Sequence, residues 1–332
     1  MRFIVRQPRN ALAAGCGLAL MAATFLFVAG AAAQAYPSRP VRMIVPQSAG
    51  GSTDVVARVI TQRMSETLGQ NLIVDNRPGA GSINGTDLVA KAAPDGYTLL
   101  VVAASFTINP SLHQKLPFDP IRDFAPVTQL AALPHILIVH PSVPVKSVKE
   151  LIALAKSRPG QLNYASSGVA TSTHLAAELF KHMTGTDMVN VPYKGGAPAM
   201  IAMLGGQVQL NFATISTALP HIRAGKLRAL AVTSARRSAA APEYPTIAES
   251  GVPGYDHSSW VGMLAPAKTP QPVIARLNAE AVKIVQASEV KTLLLRDGLE
   301  SVGDTTKEFA AIIKAEVAKW EKVVKAAGIK AE

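Results

Sequence analysis

The sequence predicts an α/β protein in two lobes, each built on a mostly parallel sheet with flanking helices. Three observations carry this. Short β-like runs alternate with helical stretches along almost the whole chain, the order that parallel strands and crossover helices impose. The 332 residues are enough to bury more than one lobe's core. A new series of elements begins near Leu137, and a later run, Trp260-Val261-Gly262-Met263-Leu264, reads as a strand returning to the first series. The chain then crosses between lobes twice, and two crossings make a hinge. Lobe 1 is expected to hold 36–136 plus 259–332, and lobe 2 to hold 137–258.

Residues 1–35 read as a cleavable export signal. Arg2, Arg6 and Arg9 make a positive start, an apolar stretch runs from Ala11 to Val28, and Ala33-Gln34-Ala35 is a small-residue cleavage site that leaves Tyr36 as the mature start. An uncleaved anchor and a lipoprotein processed at Cys16 compete with this reading. The apolar run is long enough to span a bilayer. The Ala-Gln-Ala site and the globular sequence after it favour cleavage, and too little apolar sequence precedes Cys16. The implied location is the periplasm. Cys16 is the only cysteine, so the exported chain has no disulfide, cysteine nucleophile or zinc–thiolate site.

In lobe 1, Val41, Met43 and Val45 alternate as a strand over 41–45. Gly50 and Gly51 turn the chain, and Ser52 or Thr53 is placed to cap a helix over 53–68. That helix carries Val55, Val56, Val59, Ile60, Met64 and Leu68 at helical spacing and stops at Gly69. Strand 72–75, helix 82–92 and strand 97–102 follow, with Asp95-Gly96 turning into the last. Ala103 to Pro110 reads as irregular chain off that strand's end, with a turn before Asn109-Pro110 as the plain alternative.

In lobe 2, Ser147-Val148-Lys149-Glu150 has the capping-box pattern and opens a helix over 148–157, closed by Arg158-Pro159-Gly160. Strand 162–165, helix 173–183, strand 189–191, helix 197–204, strand 208–212, helix 216–224 and strand 229–233 continue the alternation. The stretch 234–258, rich in Ala, Pro, Ser and Gly, reads as surface loop. After the return strand come helices over 271–287, 289–296 and 305–327. In the last, Phe309, Ile312, Ile313, Val317, Trp320 and Val324 form one stripe, read as core packing.

Chemistry concentrates at two strand–loop–helix junctions, Gln47 to Asp54 and Ser166 to His174. Each brings glycines and hydroxyls to a helix start, where free amides and roughly half a unit of positive charge attract an anion. If the lobes face each other, both starts meet in one cleft, and a dicarboxylate can place one carboxylate on each. An ordinary serine-rich cap is the alternative for the second junction. Ser105 and Thr107, just past a strand end, are placed to reach the same cleft. Asp54 either complements its helix dipole or bonds a ligand's ammonium or hydroxyl.

Other chemistries find little support. Gly79-Ala80-Gly81 suggests a dinucleotide fingerprint, but Asn84 stands where the third glycine belongs and Gly85 is one late. Arg77 and Gly81 are read instead as fixing a helix start. The chain has no G-x-S-x-G or HExxH motif. Its seven histidines do not fall at metal-ligand spacing, and His174 and His182 read as surface or packing residues. Ser166, Ser167 and Ser172 have no base evident in sequence, so no catalytic residue, metal or cofactor is expected. The formal charge is +11; without the three leader arginines, 30 basic residues face 22 acidic ones, or +8. These basic residues are scattered and aromatics are only 5%, unlike a nucleic-acid groove. A modest positive field suits small anions, and it equally suits a merely basic soluble protein.

The chain resembles the Bug family, the extracytoplasmic substrate-binding proteins of tripartite tricarboxylate transporters. The resemblance rests on Tyr36-Pro37-Ser38-Arg39-Pro40, Gly50-Gly51-Ser52-Thr53-Asp54, Asn76-Arg77-Pro78-Gly79-Ala80-Gly81, Ala93-Pro94-Asp95-Gly96-Tyr97, Val191-Pro192-Tyr193-Lys194-Gly195 and Leu204-Gly205-Gly206-Gln207-Val208. It implies a two-lobed periplasmic-binding-protein fold of type II, with a carboxylated solute in the interlobe cleft held largely by backbone amides. Carried over by position, the ligand residues are Gln47, Ser48, Gly50, Gly51, Asp54 and Ser105 in lobe 1, and Ser166, Ser167, Thr171 and Ser172 in lobe 2. The implied partners are a small organic acid (a dicarboxylate, tricarboxylate or aromatic acid) and membrane transporter subunits, with the receptor a monomer and no enzyme. A receptor feeding a sensor kinase is the alternative, and a periplasmic hydrolase a weaker one. The chain departs from the pattern where Gln47-Ser48 replaces an aromatic and a proline, and where Ala213-Thr214 replaces Asp-Asn. Loss of that acid argues against an amino-acid ligand.

Overall fold

The computed structural model describes residues 1, 3, 4 and 36–329, so nearly all of the expected export signal, including its cleavage site, lies outside the described residues. In strand β1 (Val41–Val45), Val41, Met43, Ile44 and Val45 are all fully buried, the continuous burial of a parallel strand covered on both faces. Helix α1 (Ser52–Leu68) buries Val56, Ile60, Met64 and Leu68 on one stripe. It ends at Gly69, whose φ of 68° lets its N–H reach the Ser65 carbonyl. Strands β2 (Leu72–Asn76) and β3 (Thr98–Ala103) flank β1, both parallel to it.

Between β2 and β3 lies helix α2 (Ile83–Ala90). Gly85 earns its place there by close approach: a Cβ would sit 2.7 Å from the Arg77 carbonyl oxygen and 2.8 Å from Pro46 Cβ. The glycine that is one position late for a dinucleotide fingerprint thus lets α2 pack on the loops beside it.

The irregular chain expected after β3 is instead helix α3 (Ser105–Leu112), with Pro110 inside it. Burial overrides the proline: Phe106 is 1% exposed and meets Phe124 edge-to-face at 5.1 Å between ring centres. The sequence reading also lacks strand β4 (Phe124–Val139), which carries Pro126 and Pro134, residues that disfavour a strand interior. β4 is the longest strand among the described residues and organises the molecule.

From Phe124 to Pro134, β4 pairs antiparallel with β9 (Ser258–Pro266). From His135 or Ile136 onward it pairs antiparallel with β7 (Leu210–Thr214) and β8 (Arg228–Val232). β7 in turn leads to the parallel strands β5 (Asn163–Ser166) and β6 (Val189–Pro192). The strand order is β2-β1-β3-β9-β4-β7-β5-β6, with β8 and the short β10 (Glu300–Ser301) also on β4. The fold is therefore the two-lobed one expected, but its sheet is mixed rather than mostly parallel. An outgoing and a returning crossing strand that pair side by side must be antiparallel.

Helix α4 (Val148–Ser157) is capped by Ser147, whose Oγ accepts from the Glu150 N–H at 3.2 Å; Glu150 reaches back to the Lys146 N–H at 2.7 Å, one residue beyond the usual box. Helices α5 (Ser172–Thr184), α6 (Gly196–Leu204) and α7 (Ile215–Arg223) cover the part of the sheet that holds β5 and β7. Helices α8 (Gln271–Gln286), α9 (Ser288–Arg296) and α10 (Thr306–Ala327) follow β9. The α10 stripe is core: Phe309, Ile313, Trp320 and Val324 are buried. Glu316 on its inner side accepts from Trp260 Nε1 at 2.6 Å and Thr107 Oγ1 at 2.9 Å, tying α10 to β9 and α3. Among the described residues, no helix is long and apolar enough to cross a membrane.

Candidate functional site

Strand direction places the site. β3 is antiparallel to β9, and β9 to β4, so β1, β2 and β3 run the same way as β4, towards its second half. β5, β6 and β7 run the opposite way, towards its first half. The carboxyl ends of the two parallel sets therefore point at each other across the middle of β4, where ligands of open α/β sheets bind. The end of β3 at Ala103 is level with Val261 and hence with Ala131; the end of β7 at Thr214 is level with His135. Four residues of extended chain leave about 13 Å between the two rims along β4.

On the first rim, Ser48, Gly50 and Gly51 are exposed. The α1 cap is Gly51, not Ser52 or Thr53, and no side chain bonds the helix start, so its first amides stay open. Asp54 does not share that exposure. It is 2% exposed and accepts from Gly50 N, Arg58 Nε and Asn76 Nδ2, each at 2.9 Å. Burial pushes its carboxyl up, but the hydrogen bonds from Arg58, Gly50 and Asn76 outweigh that and hold it below the usual aspartate value. Asp54 thus braces the loop; Gly50, at φ 84°, turns its N–H inward to meet it.

Gln47 lies half-buried beside this loop, with Nε2 donating to Ser82 Oγ at 2.9 Å and Oε1 buried without a partner. Ser82 belongs to the run Gly79, Ala80, Gly81, Ser82, all at positive φ (131°, 46°, 61°, 81°). Asn109 Nδ2 donates to the Gly81 carbonyl at 2.9 Å and holds this strained turn. Ser105 opens α3 at the end of β3, and its Oγ is likewise buried without a partner.

On the second rim, Ser167, Thr171 and Thr173 gather their hydroxyls within 2.9–3.2 Å of one another. Thr173 Oγ1 also accepts the Ser167 N–H at 2.8 Å. Ser166 is fully buried, so it packs below the rim. His174 is a brace: its Nδ1 accepts the Ala170 N–H at 3.0 Å, and burial holds its pKa down.

Ser172 turns away to His257, whose Nε2 lies 3.0 Å from both the Ser172 Oγ and the Ser172 carbonyl oxygen. A carbonyl only accepts, so Nε2 carries the proton and cannot serve as a base for Ser172. His257 Nδ1 has no partner, so a carboxylate orienter is missing too. Among the described residues, no three His, Cys, Asp or Glu side chains gather as a metal site.

The sequence reading overlooks Asn76, Ser82, Asn211 and His257. The strand-end rule would have found Asn76 and Ser82, since Asn76 ends β2 and Ser82 follows it at the same rim as Gln47. His257 lies 85 residues from Ser172, and nothing local announces the pair.

Comparison with known proteins agrees with this geometry. Residues 56–329 match the family described as the tripartite tricarboxylate transporter family receptor. The chain is similar to Protein BugT of Bordetella pertussis, at 38% identity over 315 residues covering 94% of this chain and 97% of that one. It is similar to the solved structure of R. palustris Rpa4515 with adipate, at 38% identity and a TM-score of 0.72, covering 89% and 99% of the two chains. A further structure, MatC (Rpa3494) from Rhodopseudomonas palustris with bound malate, is 34% identical with a TM-score of 0.68, covering 87% and 100%.

Proposed function

Because this chain belongs to the tripartite tricarboxylate transporter receptor family, we propose that it is a periplasmic receptor. It captures a small carboxylated solute between its lobes and presents it, unchanged, to the membrane subunits of such a transporter. Relatives holding adipate and malate support a carboxylate as the ligand. The observation that carries the reading is the pair of buried, unpartnered polar atoms, Gln47 Oε1 and Ser105 Oγ, at the ends of the neighbouring strands β1 and β3. Buried polar atoms without partners are costly, and a solute in the cleft supplies what they lack.

In this reading one carboxylate rests on the open start of α1 near Gly51, where amides and dipole favour it. Turning the Gln47 amide end for end lets Ser82 donate to Oε1 and aims the NH2 group at the carboxylate. Ser105 Oγ donates from the side. Across the gap, Ser167 and Thr171 with the start of α5 meet the far end of the solute. Asp54, Ser166 and Ser172 hold these loops in place without touching the ligand. A solute bridging both rims favours the closed form by its differential affinity. The lobes divide as 36–136 with 259–332, and 137–258, a division supported by the change of β4 partners between Pro134 and Ile136.

The test is Gly51→Asp. A Cβ there meets only the Ser48 carbonyl oxygen at 3.6 Å, and aspartate is a good helix cap, so the fold should survive. The new charge should abolish binding of adipate and malate in calorimetry. Binding heats equal to those of the parent would refute the anion seat.

A further inference from the structure

The second rim encloses a pocket of about 160 Å³ among the starts of α5, α6 and α7. Ser167, Thr173, Gly196, Met200, Asn211 and Thr217 line it, and no charged side chain does. Asn211 and Ala213 share the face of β7 turned to this pocket, opposite Leu210 and Phe212 in the main core. The layer around Asn211 is apolar, with Ile136, Ile138, Ala165 and Met200. The neighbouring hydroxyls are already engaged: Thr217 Oγ1 donates to the Thr214 carbonyl at 3.0 Å, and Thr173 Oγ1 accepts from Ser167 N at 2.8 Å. Asn211 is 3% exposed, and its Oδ1 has no partner.

We propose that Asn211 is a specificity-determining residue, reading a hydrogen-bonding substituent on the uncharged end of an acid whose ring or chain fills this pocket. The inference rests on the carboxylate-receptor reading above. The volume matches the roughly 150 Å³ cavity that accepts benzene. In either orientation of its amide, Asn211 can pair with a hydroxyl, as acceptor or as donor. A second carboxylate pairs in one orientation only and finds no cation beside it. Solutes that lack the substituent leave Oδ1 buried and unpaired, the arrangement that gives strong rejection. The ligand class is an aromatic or similarly sized carboxylic acid with a hydroxyl-type group at its far end.

Calorimetry on the exported chain and on Asn211→Leu, with benzoate, 4-hydroxybenzoate and adipate as probes, tests this. The parent should bind 4-hydroxybenzoate at least about tenfold more tightly than benzoate. Asn211→Leu should erase that preference, weakening 4-hydroxybenzoate while benzoate, with no amide left unpaired, binds at least as tightly as to the parent. Asn211→Ala serves if the leucine variant does not fold. Equal binding of the two aromatic acids by the parent, or a preference that persists in the variant, overturns the proposal. So does binding of adipate with neither aromatic acid, which leaves the carboxylate reading standing. Failure of all three ligands overturns both.

Discussion

Replacing Asp54 by alanine removes a brace, and the structure sets the scale of the loss. The carboxylate is 2% exposed and receives N–H donors from Gly50, Arg58 and Asn76 at 2.9 Å each. Hydrogen bonds to a charged group contribute about 1.5–3 kcal/mol each. The Arg58 side chain is 55% exposed, so solvent screening reduces its share to about 0.5 kcal/mol. The two inner bonds leave an expected loss of about 3–6 kcal/mol, a large part of the 5–15 kcal/mol that holds a typical protein folded. Urea denaturation at neutral pH reads this directly.

The same variant should bind adipate more weakly, because Asn76 also donates to the Gln47 carbonyl and positions the rim. The pH dependence has a definite sign. The folded pKa is lowered, so the stabilisation is complete above the ordinary aspartate value of about 3.9 and is lost as pH falls through the lower folded value. That acid-side loss should be missing in Asp54→Ala. A destabilisation under about 1 kcal/mol, together with parental adipate affinity, would refute the bracing argument.

Two further outcomes are expected. Burial lowers the His135 pKa to about 4, so the imidazole folds neutral and its stabilisation, present above about pH 6.5, drains away as pH drops towards 4. The loss should amount to about 3 kcal/mol, and His135→Leu should flatten that part of the stability–pH curve. Gly262→Ala would place a methyl 2.8 Å from Phe309 Cε1 and 3.1 Å from the Trp260 ring. A loss of about 1–3 kcal/mol in chemical denaturation is expected from this overpacking.

The helices and parallel strands were legible because their signals are local. Val56, Ile60, Met64 and Leu68 repeat every four residues, and Gly69 stops them, so α1 is read within one residue of its start. β4 was illegible because Pro126 and Pro134 look like breakers. Pro126 is tolerated at a register shift against β9, between Pro126 and Thr128, and Pro134 where the pairing with β9 ends, opposite Ser258. α3 was lost to Pro110, whose local penalty is outweighed by burial of Phe106 and Ile108.

At the rims, sequence proposes Gln47, Gly51, Ser105, Ser167, Thr171 and Ser172 as ligand residues, and reads Asp54 as either a dipole partner or a ligand contact. A carboxylate or hydroxyl near a helix start reads the same whether it faces solvent or a neighbour such as Arg58 or His257. Only the fold tells these apart.

The exchange of partners along β4 also governs how the molecule comes apart. Its first half is a central strand of one lobe and its second half a central strand of the other. Neither lobe can melt alone without stripping hydrogen bonds from a strand the other still needs. Domains joined by exposed linkers unfold in steps; here the tether is itself core. Sharing this strand, the two lobes unfold as one cooperative unit, so damage to either rim's scaffold is felt by the whole receptor.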